Sequence, residues 1–254
     1  MCVACFSRRG LLGGLGALAL AGCSQNAETG RQQLVLVSDD QLKQMADSAW
    51  AELTAKTRPV SDPAAQARLA RIGRPLAEAA GRPDLDWEFV VFDAPDLNAF
   101  VLPNGKVAFT RAMLAFAGDD DELGSVLGHE VGHIIARHPA ERVSQKLAVN
   151  AGVGIAQALL SGEGGENAGM IGAALGLGAI YGVILPYSRS HELEADRVGV
   201  ELMRQTGLDP RGAVRFWTKM IAAQARAPQP LEALSTHPAD GRRLSALQAA
   251  VGEG

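Results

Sequence analysis

The stretch 128-GHEVGHIIARH-138 sets His129 and His133 four residues apart, with Glu130 directly after the first. Val126, Leu127, Val131, Ile134 and Ile135 surround them, and this pattern predicts a helix with a buried apolar face. On a helix, positions i and i+4 face the same way, so both imidazoles can point at one ion. Neutral imidazole nitrogen is a good zinc ligand at ~2.0–2.1 Å. Glu130 sits one step round the helix, which suits a general base acting on metal-bound water. The bland alternative is a helix whose histidines are merely packed or capped. Two imidazoles and a carboxylate near a buried face are costly unless something satisfies them, and a metal would.

A catalytic zinc usually takes three protein ligands and leaves one position open. The remaining histidines are His138, His191 and His237. A predicted helix over 190–206 offers Glu192, Glu194 and Asp196 within one turn. Glu192 and Asp196 stand at i and i+4 and share a face; Glu194 points elsewhere, toward solvent. A carboxylate ligand with a second carboxylate orienting a ligating histidine is sound metal-site chemistry. Taken alone, the same acidic run also reads as an ordinary charged helix face. His138 reads as a surface residue near a helix end, and His191 faces away from the ligand beside it.

The bulk numbers agree with a packed enzyme-sized domain. The chain has 254 residues, 47% hydrophobic and 20% charged, which is ample for a core. A net charge of −4 gives no footprint for nucleic acid. Few aromatics and abundant Ala and Gly suggest closely packed helices. Ser38-Asp39-Asp40-Gln41 fits a capping box opening a helix to about Lys56, and Asp62-Pro63 opens another. Strands are expected at 34–37, 86–93, 98–102 and 106–110, the last two joined by a hairpin turn at Asn104-Gly105. The uncharged stretch 167–188 is interrupted by five glycines and Pro186, so it reads as a buried or lid-like helix rather than a span. Whether it is a lid, a membrane contact or an interface stays open.

Residues 7-SRRGLLGGLGALALAGC-23 have the basic pair, short apolar run and small residues of a secretory signal. The apolar run is too short to span a bilayer ~30 Å thick as a helix. Leu20-Ala21-Gly22-Cys23 resembles a lipobox, and Ser7-Arg8-Arg9 with Gly10-Leu11-Leu12 resembles a twin-arginine export signal. The expected organisation is a signal peptide over 1–22, a lipidated polar tether over 23–33 anchored at Cys23, and a single domain over 34–254. With Ser24 after the cysteine, the expected destination is the outer membrane, facing the periplasm. Cys2 and Cys5 lie in the leader, so no disulfide is expected.

Four stretches in order, 98-NAFVLPNGKVAFTRAML-114, 128-GHEVGHIIARH-138, 186-PYSRSHELEADRVG-199 and 235-STHPADGRR-243, carry a resemblance. The chain is similar to the zinc metallopeptidase family that includes HtpX and the CAAX prenyl-protein endopeptidase, most of all to its periplasmic BepA- and LoiP-type lipoproteins. The resemblance implies an α+β fold: a mainly helical, zincin-like domain with a small antiparallel β-sheet beside the motif helix. It implies one Zn²⁺ per chain held by His129, His133 and Glu192, with Asp196 behind them. It implies Glu130 as catalytic base. His237 would be either an oxyanion donor or a reversible fourth ligand, and Arg243 lies close by as a catalytic residue. Asn98 and Ala99 match an edge strand that pairs with extended substrate. The transmembrane hairpins of HtpX-type members are not evident. The implied activity is cleavage of unfolded or misassembled envelope proteins, with the outer-membrane assembly machinery as a candidate partner. The alternative is a non-proteolytic zinc-containing chaperone or binding protein using the same cleft.

Overall fold

The computed structural model describes residues 23–161, 187–229, 231, 233–234, 237 and 241–252. The expected signal peptide and most of the apolar stretch 167–188 lie outside the described residues, as does the side chain of Cys23. Eight helices and five strands are described here. They are β1 (Cys23–Gln25), β2 (Gln32–Leu34), α1 (Asp39–Lys56), α2 (Pro63–Ala79), β3 (Glu88–Phe92), β4 (Ala99–Val101), β5 (Lys106–Thr110), α3 (Arg111–Phe116), α4 (Asp120–Ile135), α5 (His138–Ser161), α6 (Arg189–Gln205), α7 (Arg211–Gln224) and α8 (Gly241–Gly252). None of the described helices is long and apolar enough to cross a membrane. The α+β, mainly helical expectation is met.

Local signals start the helices where they were read. Ser38 and Gln41 form the reciprocal capping box of α1, and Asp62 accepts from the Ala64 and Ala65 amides ahead of Pro63. Asp119 caps α4, and Asp120, Asp121 and Glu122 put negative charge in its first turn. The hairpin forms as expected: β4 and β5 pair antiparallel, Ala99 opposite Phe109, and Gly105 takes the positive φ of 88° that the turn needs. β3 joins the other side of β5 in parallel, so the sheet runs β3-β5-β4 and is mixed. This leaves β4 on an edge, lying against α4.

Every residue of α4 from Glu122 to Ile134 is buried. α2, α6 and α7 pack around it, and Leu123, Val126, Leu127, Val131 and Ile134 join one continuous core with Leu69, Phe109, Met203 and Met220. The approach of α6 is closest. A Cβ placed on Gly132 would lie 2.7 Å from the Ala195 carbonyl oxygen, and one on Gly199 would lie 2.9 Å from the Gly128 carbonyl carbon. Gly128 and Gly132 repeat at i and i+4 on α4, as Ala195 and Gly199 do on α6. Two stripes of small residues therefore let the backbones touch. Glu192 and Asp196 reach the motif histidines because of that contact.

The polar stretch 24–33, read as a tether, is folded onto the domain. Strands β1 and β2 pair antiparallel, Cys23 opposite Leu34. From this hairpin Asn26 donates to the Ile135 carbonyl at 3.1 Å, and Gln33 donates to that of Ala136. These are carbonyls at the end of α4, which have no partner within the helix. Arg31 reaches further, to Glu141 on α5 and Glu194 on α6.

Gly132→Ala is expected to force α4 and α6 apart and cost about 1–3 kcal/mol in chemical denaturation, the usual cost of overpacking. Glu141 gives a pH signature. Burial opposes its charge, but hydrogen bonds from His191 and Arg31 prevail and hold its carboxyl down at about 2. A depressed carboxyl stabilises the fold above its unfolded pKa, and that stabilisation fades as pH falls through the folded value. The Tm of Glu141→Gln should therefore lie below that of the parent above about pH 5, and the gap should close toward about pH 2. Thermal melts across that range check it.

Candidate metal centre

His129 and His133 project from consecutive turns of α4, and their Nε2 atoms stand 3.1 Å apart. Glu192, in the first turn of α6, brings Oε2 within 3.4 Å of His129 Nε2 and Oε1 within 3.4 Å of His133 Nε2. His237 enters from the segment before α8. Its Nδ1 lies 3.2 Å from His129 Nε2 and 3.1 Å from Glu192 Oε1. One ligand atom from each of the four lies within 4.8 Å of all the others, and all four residues are buried. Ligand atoms around a tetrahedral ion with bonds of ~2.1 Å sit about 3.4 Å apart. The closest separations here, 3.1–3.4 Å with either Glu192 oxygen counted, have that size. Three imidazole nitrogens and a carboxylate meeting in a buried spot form a donor set for a divalent metal, so the residues fit such an ion.

The surroundings hold the donors in place. His129 Nδ1 donates to Asp196 Oδ1 at 2.8 Å, which turns Nε2 toward the centre. Arg243, buried on α8, donates through Nε and Nη2 to Asp196 at 2.6 and 2.8 Å, and its Nη1 lies 2.5 Å from Glu192 Oε2. The guanidinium carbon lies 3.8 Å over the Trp217 ring. Tyr187 stacks on His133, ring centroids 3.9 Å apart.

The charges respond to this crowding. Burial and Arg243 disfavour a proton on His129, yet Glu192 and Asp196 outweigh them and lift its pKa to about 9. Burial pushes His133 well below its ordinary value. Burial also works against the Glu192 charge, but His237, Arg243 and His129 hold its carboxyl well below the carboxylate range. Glu130 is the exception: burial raises its pKa, so its carboxylate is more basic than usual. Its Oε1 lies 3.4 Å from His237 Nε2, beside the four-donor cluster.

The structure thus gathers His129, Glu130, His133, Glu192, Asp196, His237 and Arg243 in one place. Asn98 and Ala99 lie at the start of edge strand β4, which packs against α4; the Ala99 side chain is buried. Asn98 uses its backbone carbonyl to accept from Thr110, and its Oδ1 is buried with no partner among the described residues.

Two readings need correction. His138 is not on the surface: it is fully buried, and its Nδ1 lies 2.8 Å from His133 Nδ1. On an unbroken helix, five residues would turn it about 140° away from His133. Helix α4 stops at Ile135, however, and Arg137 takes φ 54°, so α5 starts at His138 and folds the ring back. Glu194 is not solvated either. It accepts from His138 Nε2 at 2.9 Å and from Arg31 at 2.7 Å. His191 does face away from the centre as expected, toward Glu141 at 3.1 Å. Sequence reasoning gave no role to Arg31, His138, Tyr187 or Trp217. The second histidine pair, His133 and His138, was the one signal available for the first two.

The sequence has relatives among known proteins. The chain is 35% identical over 180 residues to the mitochondrial metalloendopeptidase OMA1 of Schizosaccharomyces pombe, covering 71% of this chain and 51% of that protein. It is 29% identical over 211 residues to the beta-barrel assembly-enhancing protease of Yersinia pestis, covering 82% of this chain and 43% of the relative. Against the protein of the same name from Escherichia coli K12 the identity is 26%, with the same coverage of 82% and 43%. The chain spans about half the length of these relatives, or less. Residues 63–251, which include every donor of the centre, match the model of peptidase family M48, and the chain belongs to that family.

Proposed function

We propose that the chain is a zinc-dependent endopeptidase that cuts extended polypeptide. One observation carries the reading: four buried donors converge within 4.8 Å of one another, with a second, more basic carboxylate, Glu130, beside them. His129, His133 and Glu192 would hold the ion. When bound, zinc supplies Lewis acidity, making water acidic enough to ionise near neutral pH and polarising a carbonyl. Glu130 takes the proton of the attacking water and returns it to the leaving amine, a task that suits a carboxylate whose basicity burial has raised. Asp196 fixes the ring of His129. His237 stands at the fourth donor position, so it withdraws when substrate or water needs that place and then faces the developing oxyanion.

We infer a supporting role for Arg243 beside the centre. Its guanidinium is engaged with Asp196 and Glu192, so we read it as positioning both carboxylates. The outer edge of β4 beside Ala99 would offer backbone groups to an extended chain; the backbone of Asn98 is itself engaged by Thr110. That mode of reading, together with the name of the beta-barrel assembly-enhancing relatives, supports an unfolded or misassembled envelope protein as substrate and the assembly machinery as partner. The lipobox-like run ending at Cys23 supports a lipid anchor on the periplasmic face of the outer membrane.

A second reading is a non-proteolytic binding protein in which His237 closes the coordination of a structural zinc. The position of His237 at the fourth vertex favours it. Stoichiometric zinc with no hydrolysis of any peptide library would establish this reading over the first.

Glu130→Gln should retain zinc and the fold while cleavage of casein falls by about 10²–10⁴, the usual contribution of a general base. A variant that cleaves at the parental rate removes Glu130 from the mechanism. Arg243→Met leaves two buried carboxylates without their partner and should cost about 3–5 kcal/mol in denaturation of the metal-free protein. Added zinc should restore part of that loss, read as a larger metal-induced rise in Tm than the parent shows.

A further inference from the structure

The two rings that meet behind the centre, His133 and His138, face each other through Nδ1 atoms 2.8 Å apart. Between two neutral imidazoles at that distance, one Nδ1 carries the hydrogen and the other accepts it. The far end of the chain decides which. His138 Nε2 lies 2.9 Å from Glu194 Oε2. An ionised carboxylate only accepts, so His138 carries its hydrogen on Nε2 and presents a bare Nδ1. His133 must then carry its hydrogen on Nδ1 and leave Nε2 bare, and Nε2 is the atom aimed at His129 and Glu192. Glu194 in turn is held by Arg31 at 2.7 Å, and Arg31 also binds Glu141.

We propose that His138 is a positioning residue for the metal centre. With Glu194 and Arg31 it forms a relay, Arg31–Glu194–His138–His133, that fixes the ring and tautomer of His133. It does for the second ligand what Asp196 does for His129. The His129 partner is a carboxylate in direct contact. The His133 partner is a carboxylate acting through an interposed imidazole, anchored by a residue of the N-terminal hairpin more than a hundred positions away in sequence. Outer partners of ligating histidines raise ligand basicity and cut the entropy of binding the metal.

The inference rests on the reading of the centre as a metal site, and its test separates the two. The full chain is stripped with a chelator, and zinc alone is returned in competition with a chromophoric chelator. His133→Ala should lose tight zinc binding; if it binds like the parent, the metal-site reading itself fails. With that control in hand, His138→Phe should bind zinc about 10–100-fold more weakly, the usual cost of losing such a partner. His138→Asn, whose Oδ1 can stand in for the accepting Nδ1, should recover most of the affinity, which a purely space-filling role would not produce. Glu194→Ala, at a less buried position, provides the same test should the Phe variant fail to fold. It should weaken zinc binding with an unchanged circular dichroism spectrum, and histidine ¹⁵N spectra of the metal-free protein should show His133 losing its single Nδ1–H tautomer. Parental zinc affinity in either His138→Phe or Glu194→Ala overturns the proposal, as does an Asn variant no better than Phe.

Discussion

The close crossing of α4 and α6 is the constraint on which the centre depends. The donors belong to segments some sixty residues apart, and a carboxylate side chain is short. Glu192 reaches the His129 and His133 nitrogens only because the backbones of Gly128 and Gly132 on one helix and Ala195 and Gly199 on the other come into contact. Each glycine costs helix propensity of roughly 1 kcal/mol relative to alanine. That cost falls in the helix that carries the motif, and burial of the helix on all sides offsets it. Leu123, Leu127 and Val131 lie wholly in the core, and full burial of such a side chain contributes about 1.5–3 kcal/mol. The core therefore stabilises a helix that its own sequence would form poorly, and the glycine stripe converts that stability into proximity.

Proximity creates an electrostatic problem whose solution points to the ion. Glu130, Glu192 and Asp196 are buried together against one buried guanidinium, Arg243. A carboxylate out of water without compensation takes up a proton instead of keeping its charge. The group responds in just this way: His129 is lifted to about 9, so a proton supplies positive charge at the centre, and Glu130 becomes more basic. A divalent cation at the same point would supply the same charge with better geometry, displacing the proton. The charge distribution of the protein and the spacing of its donors thus call for the same ligand.

How much of this could be read from the chain depends on how local the cause was. The helix caps at Ser38 and Asp62, the Asn104-Gly105 hairpin and the pairing of Glu192 with Asp196 each rest on spacing within one element, and spacing is visible in a sequence. The position of β3 beside β5 in parallel was not visible, because no turn joins those strands. His138 was misread for a sharper reason. Its role requires a break between α4 and α5, and the break is made by Arg137 in a left-handed conformation that a non-glycine residue rarely adopts. Nothing in the composition of 128–138 announces it. The polar stretch 24–33 was misleading in the opposite sense: its Asn, Gln and Arg side chains looked solvated, yet they satisfy carbonyls and carboxylates of the domain.

That last point alters how the N-terminal segment relates to the chemistry. A flexible tether would let the domain drift from its attachment point without effect on the site. Here the hairpin that begins at Cys23 caps the last turn of the helix bearing both histidines, and through Arg31 it grips Glu194, two residues from Glu192. Pulling the hairpin away would strip the cap from α4, take Arg31 from Glu141 and Glu194, and loosen the ring of His133 from behind. The N-terminal hairpin and the buried donor cluster are therefore parts of one hydrogen-bonded unit.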